Sequence, residues 1–190
     1  FIRRLYLLLL LINCSQRGYS LKLKPNMMSR AENAIIWFAV INTYAASGKA
    51  GALWKKVESV LKDRGLPFHG TWTGKAGNAA ELTFDACMAG YRRFAAVGGD
   101  GTVHDVLNGI AGYVEWSLSS GRSASFNEFT IGVIPLGSGN DWIKSYGISK
   151  DIGKAIDNLV QGYTRPQDVA KVSVLDPYAL PYEREMSVSY

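Results

Sequence analysis

The segment Gly98-Gly99-Asp100-Gly101-Thr102 lies between an apolar run, Phe94–Val97, and Val103, Val106, Leu107 and Ile110. The i, i+3, i+4, i+7 spacing of those four residues predicts a helix beginning just after Thr102. Three glycines admit positive φ and let a ligand come close to the backbone. Successive N–H groups in such a turn form an anion-binding concavity, and the helix N-terminus adds partial positive charge, so the chemistry indicated is phosphate binding. Asp100 is the odd member. A carboxylate beside phosphates is repelled unless a cation or proton intervenes, which points to a role through a divalent cation, water or an acceptor hydroxyl. The plainer alternative is a tight turn with a helix-capping Asp.

A second segment of the same kind is Pro135–Asp141 (PLGSGND), with Gly137, Ser138, Gly139, Asn140 and Asp141 between a strand candidate and a polar, helix-prone stretch. A third is Asn42–Gly51 (NTYAASGKAG), which contains Ser47, Gly48 and Lys49. No glycine occurs in Ile41–Tyr44 ahead of the Gly48-Lys49 pair, so the GxxxxGK[ST] phosphate loop is absent. There is no GxGxxG either, which leaves dinucleotide binding of the usual kind unsupported.

The elements that must hold these loops alternate strand and helix. Ala34–Ile41 is a continuous apolar run, as expected of a strand buried on both faces. Leu53, Val57, Val60 and Leu61 recur at helical spacing, with Gly65 as a stop. Pro67–Trp72 is a second strand candidate, Ala79–Ala89 a helix with Leu82, Ala86 and Cys87 on one side, and Phe94–Val97 a third strand. Ser117–Asn127 reads as a Ser/Gly-rich surface loop, Thr130–Pro135 as a fourth strand, and Ile152, Ala155, Ile156 and Leu159 as another helix. Ala170, Val172 and Val174 alternate with Lys171 and Ser173 as in a half-exposed strand. The fold class expected is α/β, a three-layer, mostly parallel sheet with helices on both faces. In such sheets ligands sit beyond the carboxyl ends of the strands, where the glycine-rich loops fall.

Composition removes other classes. The chain has 190 residues, 47% of them hydrophobic and 12% aromatic, which excludes a disordered chain. Two cysteines and two histidines exclude a disulfide framework and a His-rich metal cluster. The net charge of +5 is carried by Arg3, Arg4, Arg17, Lys22 and Lys24, in a leader without any acid; 16 of the 21 basic residues then face all 16 acids, a net charge of zero. Nucleic acid is therefore not expected as a partner. His104, His69, Cys87 and the tryptophans Trp37, Trp54 and Trp72 are read as packing or local contacts, and Trp142 as either a cleft residue or a packing one.

GGDGT followed by VHDVLNG (Val103–Gly109), with PLGSGNDW (Pro135–Trp142) further on, resembles the catalytic domain of the diacylglycerol kinase family, in its bacterial lipid kinase form. That family is a relative of sphingosine kinases and, more distantly, of NAD kinases. The likeness runs from about Ile35 to Val174. Asn42, Ser47 and Gly48 resemble the family's first Asn-Pro-x-x-Gly-type loop. Thr73, in Thr71–Leu82, resembles the threonine that touches nucleotide.

The resemblance implies transfer of the ATP γ-phosphoryl group to a lipid hydroxyl of diacylglycerol type, with ATP and Mg²⁺ as cofactors. It places Gly98, Gly99, Asp100, Gly101, Thr102, Val103 and His104 around the phosphates. Thr73 and Ser138 contact the nucleotide, Asn42 shapes the first loop, and Gly137, Gly139, Asn140 and Asp141 complete the second. Asp100 is the catalytic candidate; no metal ligand set is assigned. A lipid acceptor implies a cytoplasmic protein with peripheral membrane contact, and a homodimer stays open. Three positions depart from the family: Thr43 where proline is common, giving a less rigid loop; Asp105 for Glu; and Ser138 for Thr.

The expected domains are a leader at 1–27, a nucleotide-binding unit at 33–166, and at 167–190 the start of a β-rich second lobe that the chain otherwise lacks, as in a truncated product. For the leader, Arg3-Arg4 before Leu5–Ile12 and Cys14 suggest a lipidated signal segment. Asn13 before Cys14 and the initial Phe1 favour instead an upstream extension, with Met27 or Met28 as the start. The alternative function is a nucleotide-binding module without catalysis.

Overall fold

The computed structural model describes residues 29–74, 78–136, 139–173 and 188–189. The leader, Gly137 and Ser138 lie outside the described residues. Ser29 opens a one-turn helix, α1 (Arg30–Asn33), with a reciprocal capping box to Glu32. The N–H groups of Ala34, Ile35 and Ile36 then donate back to Arg30, Glu32 and Asn33 carbonyls. Those amides are consumed locally, so the first strand, β1 (Trp37–Ile41), begins at Trp37 and not at Ala34 as expected.

The chain continues through a short turn at Ala45–Gly48 to α2 (Ala50–Asp63), β2 (Phe68–Trp72), α3 (Ala79–Met88), β3 (Arg93–Gly98), α4 (Asp100–Ser119), a 3₁₀ turn at Phe126–Glu128, β4 (Thr130–Pro135), α5 (Asp141–Ser145) and α6 (Ile152–Gln161). Val172–Ser173 (β5) and Val188–Ser189 (β6) pair antiparallel as a separate two-stranded piece. The main sheet has the order β2-β1-β3-β4, parallel throughout.

Strand alternation divides the core into two layers. Phe38, Val40, Phe94, Ala96 and Val133 pack with Val106, Ile110 and Val114 of α4 and Ala86 and Cys87 of α3. Trp37, Ala39, Ile41, Ala95, Val97 and Ile134 pack with Trp54, Val57 and Leu61 of α2 and Ile152 and Ile156 of α6. Cutting any of these large aliphatic side chains to alanine costs about 2–5 kcal/mol. On the first face α3 and α4 touch closely: a Cβ at Gly109 would lie 2.4 Å from the Ala80 carbonyl oxygen. Thr83, not Leu82, is the fully buried residue there, its hydroxyl donating to the Ala79 carbonyl at 2.8 Å.

Two other helix bounds differ from expectation. α4 starts at Asp100, with Gly99 as its N-cap, so Gly101, Thr102, Val103 and His104 form its first turns and are not a loop. An acidic residue in the first turn suits the helix dipole there. At the other end α4 runs through Ser117–Ser119, which had read as loop; Ser117 is buried. Packing of Val114 and Ser117 against the core outweighs the weak helix propensity of serine.

β1 connects outward to β2, whereas β3 connects in the other direction to β4, so the strand order reverses between β1 and β3. The register sets Trp72, Ile41 and Val97 level, with Gly98 opposite Pro135. All four following loops therefore leave from one edge of the sheet, at the switch point where open α/β sheets take ligands.

Candidate nucleotide-binding site

The loop after β1 is built on Asn42. Its N–H extends the ladder to the Val97 carbonyl at 3.0 Å, and its Oδ1 accepts the Tyr44 N–H at 2.9 Å, closing an Asx turn. Its Nδ2 donates to the Thr102 hydroxyl oxygen at 2.9 Å, which ties the first loop to the first turn of α4. Beyond it, Ala46 and Ser47 hold φ of 53° and 56°, and Gly48 holds 82°. Left-handed backbone at two non-glycine residues costs on the order of 1–2 kcal/mol each and is concentrated at functional turns. Ser47 and Gly48 are exposed.

The loop after β2 joins the first through Thr73. The Thr73 hydroxyl oxygen accepts the Thr43 N–H at 3.0 Å, the Thr43 hydroxyl donates to the Thr73 carbonyl, and the Thr73 N–H donates to the Ile41 carbonyl at 3.0 Å. Thr73 is 5% exposed. At Thr43, where proline is common in the family, these hydrogen bonds tie the first loop to the second.

At the end of β3 there is no room for a side chain at Gly98, where a Cβ would lie 2.2 Å from Thr102 Oγ1. The Leu136 N–H donates to the Gly98 carbonyl at 2.9 Å, and the Thr102 N–H to the Gly99 carbonyl at 2.9 Å. Thr102 is 1% exposed and Val103 is 9% exposed, so both face the interior of this turn. His104 is exposed and lies 3.7 Å from Asp105 on the same helix, with Asn108 one turn on.

The loop after β4 meets this turn directly. Asp100 Oδ2 accepts the Asp141 N–H at 3.0 Å and Oδ1 accepts the Trp142 N–H at 3.1 Å. Asp100 therefore caps a helix, but α5 of the neighbouring loop and not its own. Asn140 precedes α5 with φ 54° and is 3% exposed, and a Cβ at Gly99 would lie 3.4 Å from its Oδ1. A Cβ at Gly139 would lie 4.0 Å from Asp100 Oδ2, an ordinary contact. Asp141 itself is exposed, and hydrogen bonding and charge from Lys144 hold its carboxyl below the usual carboxylate range. Trp142 stacks on Tyr146 at 4.3 Å between ring centroids.

Asn42, Thr73, Gly98, Gly99, Asp100, Thr102, Asn140 and Asp141 therefore belong to one hydrogen-bonded edge, with Ser47, Gly48 and His104 exposed on its elements. Sequence reasoning noted Thr43 only as a departure from the family and gave it no role in the site, because its partner is 30 residues away. Of the residues set aside as packing, Trp37 and Trp54 are buried, whereas Trp72 is 42% exposed and touches Trp54 edge-on. His69 bonds the Tyr91 hydroxyl.

Among the described residues no group of three or more His, Cys, Asp or Glu side chains could hold a metal ion. Asp100 and Asp141 are the carboxylates at this edge that would meet a magnesium ion carried on nucleotide phosphates. No helix among the described residues is long and apolar enough to cross a membrane.

Comparison with known proteins agrees with this geometry. The diacylglycerol kinase of Bacillus subtilis (strain 168) is 35% identical over 99 residues, 52% of this chain and 29% of its own. A Cronobacter sakazakii protein named "Probable lipid kinase YegS-like" is 29% identical over 146 residues, 77% of this chain and 44% of its own. The chain spans less than half the length of these relatives. A crystal structure of a diacylglycerol kinase from Bacillus anthracis str. Sterne superposes with a TM-score of 0.56 at 21% identity, covering 70% of this chain and 42% of that one, which shows the shared fold. The family model of the diacylglycerol kinase catalytic domain matches residues 37–172, from the first residue of β1 to the strand after α6. With the glycine turns of β3 and β4 at one sheet edge inside that span, the chain belongs to the diacylglycerol kinase catalytic domain family.

Proposed function

We propose that this chain is the nucleotide-binding lobe of a lipid kinase that transfers the ATP γ-phosphoryl group to the hydroxyl of a diacylglycerol-like acceptor at a membrane surface. Residues 33–166 are assigned to the lobe, and 167–190 to the start of a second lobe. The observation that supports this reading most is the continuous set of hydrogen bonds joining all four strand-end loops: Thr73 to Thr43, Asn42 to Thr102, and Asp100 to Asp141 and Trp142.

In this reading the first amides of the long helix α4, at Asp100 and Gly101, face the phosphates, since helix-start N–H groups lack intrahelical partners. Gly98 leaves room for Thr102, and Gly101, where a Cβ would meet nothing within 4 Å, keeps the backbone thin enough for close approach. Thr73 contacts the nucleotide, and Ser47, Gly48 and His104 border it. Asp100 and Asp141 would hold a magnesium ion carried on the nucleotide, which would supply charge neutralisation for phosphoryl transfer. Asp100 also keeps α5 against the β3 turn, so one carboxylate serves both placement and charge. Transfer of this kind depends on positioning and electrostatics more than on covalent chemistry.

Calorimetric titration with ATP and Mg²⁺ tests the binding step: a saturable one-to-one isotherm supports it, and no heat of binding contradicts it. Incubation with γ-labelled ATP and diacylglycerol micelles tests transfer. Binding without labelled lipid supports instead the non-catalytic nucleotide-binding module.

A further inference from the structure

The pair Thr43–Thr73 is more than a loop contact, because of how its donors and acceptors are shared. The Thr43 N–H occupies one lone pair of Thr73 Oγ1 at 3.0 Å, and the Thr43 hydroxyl donates to the Thr73 carbonyl. The Thr73 N–H is taken by the Ile41 carbonyl at 3.0 Å. The backbone and the side-chain oxygen of Thr73 are therefore both fixed from β1 and its loop. By contrast, the Thr73 hydroxyl hydrogen has only a long contact, 3.3 Å, to Thr43 Oγ1. A hydroxyl that is anchored through its oxygen while its hydrogen is weakly held can turn that hydrogen onto an anionic acceptor without losing its place. Thr73 is 5% exposed, so its rotamer is fixed by packing as well, whereas Thr43 is exposed on the rim.

We propose that Thr43 is a positioning residue for nucleotide binding: its N–H and hydroxyl hold Thr73 so that the Thr73 hydroxyl is presented to a nucleotide phosphate. This rests on the nucleotide-binding reading above. Thr43 acts through Thr73 and need not touch the ligand. Its contribution is to remove the rotational freedom that Thr73 would otherwise lose on binding.

The test is titration of the full chain with MgATP in five forms: unsubstituted, Thr43→Val, Thr43→Ser, Thr73→Val and the double valine variant. Thr43→Val keeps the branched shape and loses the donor, and its folding is checked by near-ultraviolet circular dichroism. The expected results are a five- to tenfold weaker affinity for Thr43→Val and an affinity within twofold of the unsubstituted chain for Thr43→Ser. The double variant is expected to bind no more weakly than Thr73→Val alone, because a residue that acts through Thr73 has nothing left to orient. A folded Thr43→Val that binds as tightly as the unsubstituted chain overturns this role and leaves the nucleotide reading intact. So does a double variant in which the two losses multiply. Absence of binding by the unsubstituted chain overturns both. Should Thr43→Val not fold, Thr43→Ala in the same cycle gives the same two decisive outcomes.

Discussion

The Asp100 carboxylate spans the gap between two strand-end loops, with one oxygen 3.0 Å from the backbone nitrogen of Asp141 and the other 3.1 Å from that of Trp142. A residue at the start of α4 thereby serves as the cap for α5, 41 positions further along the chain. The turn after β3 and the turn after β4 are one object.

Replacing Asp100 with asparagine leaves one acceptor oxygen for two amides and removes the negative charge. The chain is expected to stay folded, with the loss of one capping bond costing about 1 kcal/mol in urea unfolding. Under the proposed lipid kinase reading, phosphorylation of diacylglycerol by a protein that also carries the acceptor-binding part is expected to fall about 100-fold or more, as when a preorganised polar group is removed from a charged transition state. Unchanged phosphatidic acid formation by the Asn variant removes Asp100 from the mechanism.

Gly98 and Gly101 separate fold from ligand within a single turn. Alanine at 98 puts a methyl group into Thr102, so its cost appears in stability, about 1–3 kcal/mol by denaturant unfolding. A Cβ at Gly101 meets nothing within 4 Å. Gly101→Ala is expected to unfold at the same denaturant concentration or higher, yet to bind ATP more weakly, because the methyl group occupies space the phosphates need.

The contact between α3 and α4 predicts a purely structural lesion. Gly109→Ala drives a methyl group to within 2.4 Å of the Ala80 carbonyl and 2.6 Å of Thr83. Stability is expected to fall by about 1–3 kcal/mol, with a lowered thermal midpoint. Where the variant remains folded, ATP affinity stays unchanged.

Burial pushes the Cys87 thiol up from its ordinary 9.0 to about 12. In the unfolded chain the thiol ionises near 9.0, while in the fold it keeps its proton until about 12, so the unfolded form binds fewer protons across that window. Stability from this group is intact below pH 9 and is lost as pH rises towards 12. Cys87→Ala is expected to flatten that part of the stability profile. Iodoacetamide at pH 8 is expected to leave Cys87 unmodified in the native protein and to label it in urea.

Much of this architecture was legible in the residues themselves. The apolar runs around Val40, Val97 and Ile134 read as strands covered on both faces, and β4 falls on Thr130–Pro135 as its pattern predicted. The glycine turns announced the ligand edge. Helix ends were less legible, because Gly99–Thr102 reads as loop chemistry although Asp100 and the dipole start the helix early. The ties Thr43–Thr73 and Asp100–Asp141 left no local signal. Each joins short polar side chains to backbone atoms tens of residues away, and only the parallel register brings them level.

One measurement bears most directly on the claim that four strand-end loops form a single nucleotide site. In an amide NMR titration with MgATP, the resonances of Asn42–Tyr44, Thr73, Gly98–Val103 and Asn140–Trp142 should shift together and saturate with one dissociation constant. Shifts limited to a single loop, different saturation points for the β3 and β4 turns, or no shifts at all would contradict it.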